Sequence, residues 1–385
     1  MNKHGWTYKK LGEVCFYPNN RISLSSISAS QYVGVETLIK ERGGISFSDC
    51  LPNADTAIEF LENDVLIGNI RPYLKKIWKS DRNGGASGDV VIIRIHPNYL
   101  SQLSSSYLYK VLSSDHFFDY DNANTHGAKM PRGDRRAIAN FVIPVPPIKE
   151  QETIVAELDE INEAIAEMQQ QIVDLDSLAQ STFYDMFGDP VTNPKGWEVK
   201  IMGEVGELQR GAGLSKKDLI ENGFPCILYG QIHTRFGAYT KNHIACIPQD
   251  LVKTAKIAHC GDILMAITSE DVEGSCKSVA WLGDYEIAVG SDAAIFRHTL
   301  NPIYVSYYTQ TTAFYAEKAK YAKGFKVTHI STKEIAKIPI TVPPLTLQQE
   351  FASRVEAIEA AKAELNAQIA EMQTLLASRM DYYFD

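Results

Sequence analysis

Apolar residues recur in two long stretches at alternating steps of four and three. The first stripe is Ile154, Leu158, Ile161, Ile165, Met168, Ile172, Leu175 and Ala179; the second is Phe351, Val355, Ile358, Leu365, Ile369, Met372 and Leu376. That spacing keeps one face turned toward a partner helix. Each stretch follows tandem prolines, Pro146-Pro147 and Pro343-Pro344, which suit a helix's first turn and not its interior. The pattern therefore predicts two long helices, starting just after Pro147 and Pro344. In one chain they pair most simply as an intramolecular antiparallel coiled coil, with Ile154, Leu158, Ile161, Ile165, Ile172 and Leu175 packing against Phe351, Val355, Ile358, Leu365, Ile369 and Met372. Lys362 stands where the first stripe has Ile165, so one layer is polar. About 35 residues at 1.5 Å each span on the order of 50 Å, the length of a spacer.

The remaining segments read as α/β. Strands are predicted at Gln31 to Val35, Asp64 to Ile70 and Asp89 to Ile95, and a helix at Ser106 to Leu112. The order then repeats, with strands at Ile227 to Gln231, Ile263 to Thr268 and Ala293 to Arg297 and a helix at Ile303 to Thr311. Ile143-Pro144-Val145-Pro146-Pro147-Ile148 and Ile340-Thr341-Val342-Pro343-Pro344-Leu345 lie 197 residues apart, as do Gly127 and Gly324, Lys129 and Lys326, Ile138 and Ile335, and Phe187 and Phe384. Gly5-Trp6 and Gly196-Trp197 are 191 apart, whereas Asp64 and Asp262 are 198 apart and Asp89 and Asp292 are 203 apart. The framework repeats while its loops change length. This is a duplication, and divergent loops on a common frame suit recognition of two different targets. The predicted segments are a first domain at 1–147, a helix at 148–187, a second domain at 188–344 and a helix at 345–385.

Charge is distributed unevenly. The net charge is −9, which alone argues against a polyanion ligand. Yet residues 1–150 hold 18 Lys/Arg against 15 Asp/Glu and residues 196–344 hold 16 against 15, while residues 151–195 hold 1 against 10. The acid is on the helices. Basic clusters mark the domains: Arg71, Lys75, Lys76, Lys79 and Arg82; Lys129, Arg132, Arg135 and Arg136; and Lys318, Lys320, Lys323 and Lys326. The stretches around Gly127 and Gly324 are candidates for phosphate contact. For the Arg71 run a solvated charged loop is an equally simple account.

Other chemistries have weaker signals. Asn301-Pro302-Ile303-Tyr304 is close to the Asn-Pro-Pro-Tyr segment of adenine methyltransferases, but its third residue differs and no glycine-rich cofactor loop precedes it. His243 with Cys246, and His259-Cys260, fall short of a zinc ligand set. No Gly-x-x-x-x-Gly-Lys-Ser/Thr loop is present for ATP. Asp64 and Asp262 open strands in both copies, where a turn or cap role outweighs nuclease chemistry. The six cysteines form no Cys-x-x-Cys pair and read as reduced cytosolic thiols. No run approaches the roughly 18 to 20 apolar residues of a membrane span, and the first residues lack a secretory signal's apolar stretch.

Gly5-Trp6 followed by Lys10-Leu11-Gly12-Glu13, the run Ile143 to Gln151 before a long helix, Phe183-Tyr184-Asp185-Met186-Phe187-Gly188-Asp189 closing it, and Gly196-Trp197 restarting the cycle together resemble the specificity subunits of type I restriction-modification systems. The resemblance covers nearly the whole chain. It implies that each domain is a target recognition domain reading one half of a bipartite double-stranded DNA sequence, and that the helices fix the gap and bind two modification (methyltransferase) subunits. Restriction subunits join in the full complex. Catalysis would belong to those partners, which would also bring S-adenosylmethionine, ATP and magnesium, in the cytoplasm. The copies differ at Thr346-Leu347-Gln348-Gln349 against Lys149-Glu150-Gln151-Glu152. A coiled-coil scaffold whose domains bind protein is the alternative left open by the residues alone.

Overall fold

The computed structural model describes residues 5–323 and 327–385. Both proline-led stripes are helical: the central helix is Ile148–Phe187 and the C-terminal helix Leu345–Phe384. The chain falls into two compact units, residues 1–169 with 367–385, and residues 170–366. Each unit holds one globular head and one end of both helices.

In the first unit, Cys15–Phe16, Val90–Ile95, Val65–Gly68 and Ile77–Lys79 form an antiparallel sheet in that order. A second sheet orders Arg21–Ser23, Thr56–Phe60, Gly84–Ala86 and Tyr32–Val33. In the second unit the first sheet is repeated by Gly206–Arg210, Ala293–His298, Ile263–Ala266 and Ser278–Trp281, with Tyr239–Thr240 added at the edge. Register repeats too: Val65 pairs with Ile93 as Ile263 pairs with Phe296. Runs such as Val-Val-Ile-Ile-Arg-Ile are buried on both sides, as a strand lying between sheet and helices must be.

Two expected strands are corrected. The stretch Ile227 to Gln231 stops as a strand at Ile227 and turns into the short helix Tyr229–Thr234, because Gln231 Oε1 accepts the Leu228 N–H at 2.9 Å and caps it. Gln31 to Val35 likewise begins in a tight turn, Ala29–Gln31, leaving only Tyr32–Val33 extended.

Each head is fastened to its helix by the same polar device. Gln151 is fully buried; its Oε1 accepts the Ser104 N–H at 2.9 Å, and its Nε2 donates to the Pro146 carbonyl at 2.8 Å. Gln348 is buried as well, accepting from Asn301 N–H at 2.8 Å and donating to the Pro343 carbonyl at 2.8 Å. Asp64 and Asp262 cap turns, accepting Leu61 N–H at 2.8 Å and His259 N–H at 2.9 Å. Each also forms an ion pair with the equivalent arginine, Arg94 at 2.7 Å and Arg297 at 2.9 Å.

The helices run antiparallel. Within the second unit Lys362 reaches Asp176 at 2.6 Å, while Phe183, further along the central helix, packs on Phe351 near the start of the other at 5.5 Å between ring centroids. Ile154, Leu158, Ile161 and Ile165 are buried, as are Phe351, Val355, Ile358 and Ile369; Ile172, Leu175, Leu365 and Met372 are half-buried. The polar layer at Lys362 is closed by Asp176 and by Glu359 at 2.9 Å.

Candidate nucleic-acid interface

In the first unit two basic clusters far apart in sequence become neighbours. The strand Val65–Gly68 leads into a turn in which Arg71 and Lys75 both take left-handed backbone conformations, with φ of 54° and 49°. The Arg71 N–H donates to the Pro131 carbonyl at 2.7 Å, and the Gly133 N–H to the Asn69 carbonyl at 3.1 Å. Any larger residue at Gly133 would force the Asp121 side chain to shift. A Cβ would sit 2.5 Å from Asp121 Oδ1 and 3.1 Å from Asn69 Oδ1. Asp121 itself is buried and neither carboxylate oxygen has a hydrogen-bond partner among the described residues; burial pushes its carboxyl up to about 6.

The side chains divide into free and committed. Arg71 and Lys129 are exposed. Arg132, half exposed, pairs with Asp89 at 3.0 Å, and Arg135 donates to the Gly88 carbonyl at 3.1 Å. Lys75 is held by Asp115 at 2.5 Å, and Arg42 binds the same carboxylate. Partial burial opposes it, but these hydrogen bonds hold Asp115 below the usual carboxylate range. Lys76 donates to the Val35 carbonyl at 2.5 Å. Lys75 and Lys76 therefore tie this turn to Asp115 and to the Val35 carbonyl.

The basic stretch of the second unit is less open than its sequence suggests. Lys318 is 4% exposed, with Nζ donating to the carbonyls of Glu273 at 2.7 Å and Ser275 at 2.5 Å. Burial lowers its pKa. It is a structural cation beneath the loop that carries Cys276, not a surface contact. Lys320 pairs with Glu317 at 2.6 Å and Lys323 with Glu334 at 2.7 Å; hydrogen bonds from Lys323 and Ser331 hold Glu334 down at about 2. Lys326 and Gly324 lie outside the described residues.

Other residues frame this face of the second unit. Thr268 Oγ1 lies 2.9 Å from His329 Nδ1 and 3.3 Å from Asp292 Oδ1, and Lys277 donates to the His233 carbonyl at 2.8 Å. Thr268, His233 and Lys277 help line a cleft of about 1350 Å³. None of these stood out in the sequence, since isolated polar residues carry no cluster signal. Asn301 acts as a helix cap, its Oδ1 accepting from Ile303 N–H at 2.9 Å, and His243 Nδ1 is 2.7 Å from the Tyr285 hydroxyl. Among the described residues no group of three or more His, Cys, Asp or Glu is placed to hold a metal ion, and no helix is long and apolar enough to cross a membrane.

Residues 194–372 match the family model of the type I restriction modification DNA specificity domain. That match covers a little under half of the chain. It is also 24% identical over 260 residues to the MjaVIII type I restriction enzyme specificity subunit of Methanocaldococcus jannaschii, covering 62% of this chain and 60% of that protein. Similarity to the StySPI specificity subunit of Salmonella potsdam is 21% over 189 residues, covering 48% of this chain and 40% of that one. The alignments thus span less than two thirds of these relatives' lengths. Among solved structures, a chain from a study of complex assembly and conformational transition of the type I R-M system matches with a TM-score of 0.62 at 22% identity, covering 99% of this chain and 98% of that chain. The type I restriction-modification S subunit from M. genitalium matches with a TM-score of 0.53 at 13% identity, covering 100% and 97%. The fold is shared with those chains, and the family resemblance read from the residues is supported by these matches.

Proposed function

We propose that this chain is the DNA-reading specificity subunit of a type I restriction-modification complex. Each unit reads one half of a bipartite duplex target, and the paired helices set the gap and dock two modification subunits, with restriction subunits joining the full assembly. Methyl transfer and cleavage, with their S-adenosylmethionine, ATP and magnesium, are assigned to those partners. The observation that carries the reading is the backbone join between Arg71 and Pro131. It draws two basic clusters onto one surface, with Arg71 and Lys129 exposed, within a head whose framework is duplicated and whose loops are not. The match to the specificity domain supports the same assignment for the second unit.

The test is selection of bound duplexes from a randomised library by the full chain assembled with its modification subunits. Two short motifs at a fixed separation are expected. Replacing Arg71 and Lys129 with alanine should weaken binding to every duplex alike and reduce the slope of log K against log salt by about 2, one per lost phosphate contact. A library without enrichment, as the scaffold alternative requires, would contradict the proposal.

A further inference from the structure

Arg132 and His329 occupy one position in the two copies, 197 residues apart. Each bridges to the residue just beyond an equivalent buried strand: Arg132 opposite Ile70, His329 opposite Thr268. Each is also tied to an equivalent carboxylate. Arg132 reaches Asp89 directly at 3.0 Å. His329 reaches Asp292 through the Thr268 hydroxyl, with Nδ1 to Oγ1 at 2.9 Å and Oγ1 to Oδ1 at 3.3 Å.

The relay selects one tautomer of the imidazole. Thr268 has one hydroxyl proton, and the Asp292 carboxylate can only accept. With that proton directed to Asp292, the ring must donate from Nδ1, so the neutral histidine carries a bare lone pair on Nε2. His329 is exposed. The same framework position therefore holds a cationic donor in the first unit and, in the second, an imidazole whose tautomer matching the relay turns an acceptor outward. Phosphate contact suits only the first, because a bare ring nitrogen would face phosphate oxygens lone pair to lone pair. A position whose brace is kept while its hydrogen-bonding sense is reversed suits base edges, where the groups to be read differ in that sense.

Resting on the DNA-reading function above, we propose that Arg132 and His329 are paired specificity residues, each reading one base edge in the major groove of its own half-site. Arg132 donates to guanine O6 and N7. His329 Nε2 accepts from the exocyclic amine of adenine or cytosine. Asp89, Thr268 and Asp292 are positioning residues that aim these side chains. Arg132 thereby leaves the set of phosphate contacts in which its sequence neighbours placed it.

Duplex selection by the full chain with its modification subunits tests this. His329→Ala should relax one position of the second unit's half-site, lowering discrimination there about 5- to 100-fold, while the other half-site is unchanged; Arg132→Ala should do the converse. Thr268→Val should relax the same position as His329→Ala, and Thr268→Ser should restore it. Asp292→Asn places an amide donor on Thr268, sends the hydroxyl proton to Nδ1 and turns Nε2 into a donor, so preference at that position should move from adenine or cytosine to guanine or thymine. Variants that melt like the parent but weaken all duplexes equally, with the motif unchanged, would overturn the inference and leave the DNA-reading function standing. Thr268→Val behaving as the parent would remove the relay and the acceptor assignment with it. A parent that selects no motif would defeat the underlying function itself.

Discussion

Tyr107 packs edge-on against Phe384, with 5.8 Å between ring centroids. The equivalent pair in the other unit is Tyr304 with Phe187, at 4.8 Å. Each head's tyrosine thus meets the phenylalanine that ends the other copy's helix. Antiparallel pairing enforces this exchange, since the helix leaving one head arrives at the other. Tyr107 and Tyr304 also donate their hydroxyls to the strand before each helix, at Pro144 and Thr341, so head, proline strand and incoming helix form one packed layer.

Phe384→Ala should therefore cost about 3–5 kcal/mol, the range for emptying a buried aromatic site. The loss should be confined to the first unit. Hydrogen exchange at residues 105–112 should accelerate while residues 302–308 keep their protection. Equal acceleration in both segments would show that the exchanged contact is not what secures the first head.

Lys318 separates structural from DNA-binding cations. Its removal leaves the Glu273 and Ser275 carbonyls without this donor, at about 1–3 kcal/mol for the buried Ser275 carbonyl. Lys318→Ala should lower the urea midpoint clearly, whereas Lys129→Ala should leave it within about 0.5 kcal/mol of the parent. A Lys318 variant of unchanged stability that has lost DNA affinity would reverse the assignment.

Asp121 gives a pH signature. Its carboxyl is raised from an ordinary 3.8 to about 6, so the folded chain holds the proton more tightly than the unfolded chain. That contribution to stability is complete below about 3.8 and is lost as pH rises through about 6. Asp121→Asn removes the titration, and should stabilise the chain relative to the parent by up to about 3 kcal/mol at pH 7.5, at roughly 1.4 kcal/mol per tenfold change in proton affinity. The gain should be smaller at pH 5. Urea midpoints at the two pH values measure it, and an equal gain at both would mean that burial does not set the carboxyl's proton affinity.

The framework was legible in the sequence because it is written twice. Gln151 and Gln348, or Asp64 and Asp262, repeat at matching places, and the burial that requires them repeats as well. The heptad stripes likewise mark both 40-residue helices, and the tandem prolines before them mark where each begins. Surface chemistry was less legible. Lys318 and Lys129 look alike in a charge count, and only the carbonyls of Glu273 and Ser275 above a buried Nζ distinguish them. His329 belongs to no cluster, and its equivalence to Arg132 emerges from strand-end bridging rather than from residue type. The strand expected through Gln231 failed because a side-chain cap, invisible to hydrophobic periodicity, ends it.

The claim that two reading heads are held at a distance set by the helices is tested most directly by lengthening both helices together. One heptad inserted near Gln170 and one near Ala367, where the two compact units meet along the chain, preserves the apolar seam and adds about 10 Å of helix. That is roughly three base pairs of B-form duplex at 3.4 Å each, accompanied by a rotation about its axis that weakens binding. Selection from a library of randomised gaps should return both half-site sequences intact with a longer preferred separation. An unchanged separation in a variant that melts as a folded protein would contradict the account, and would place control of the gap in head packing or in the partner subunits.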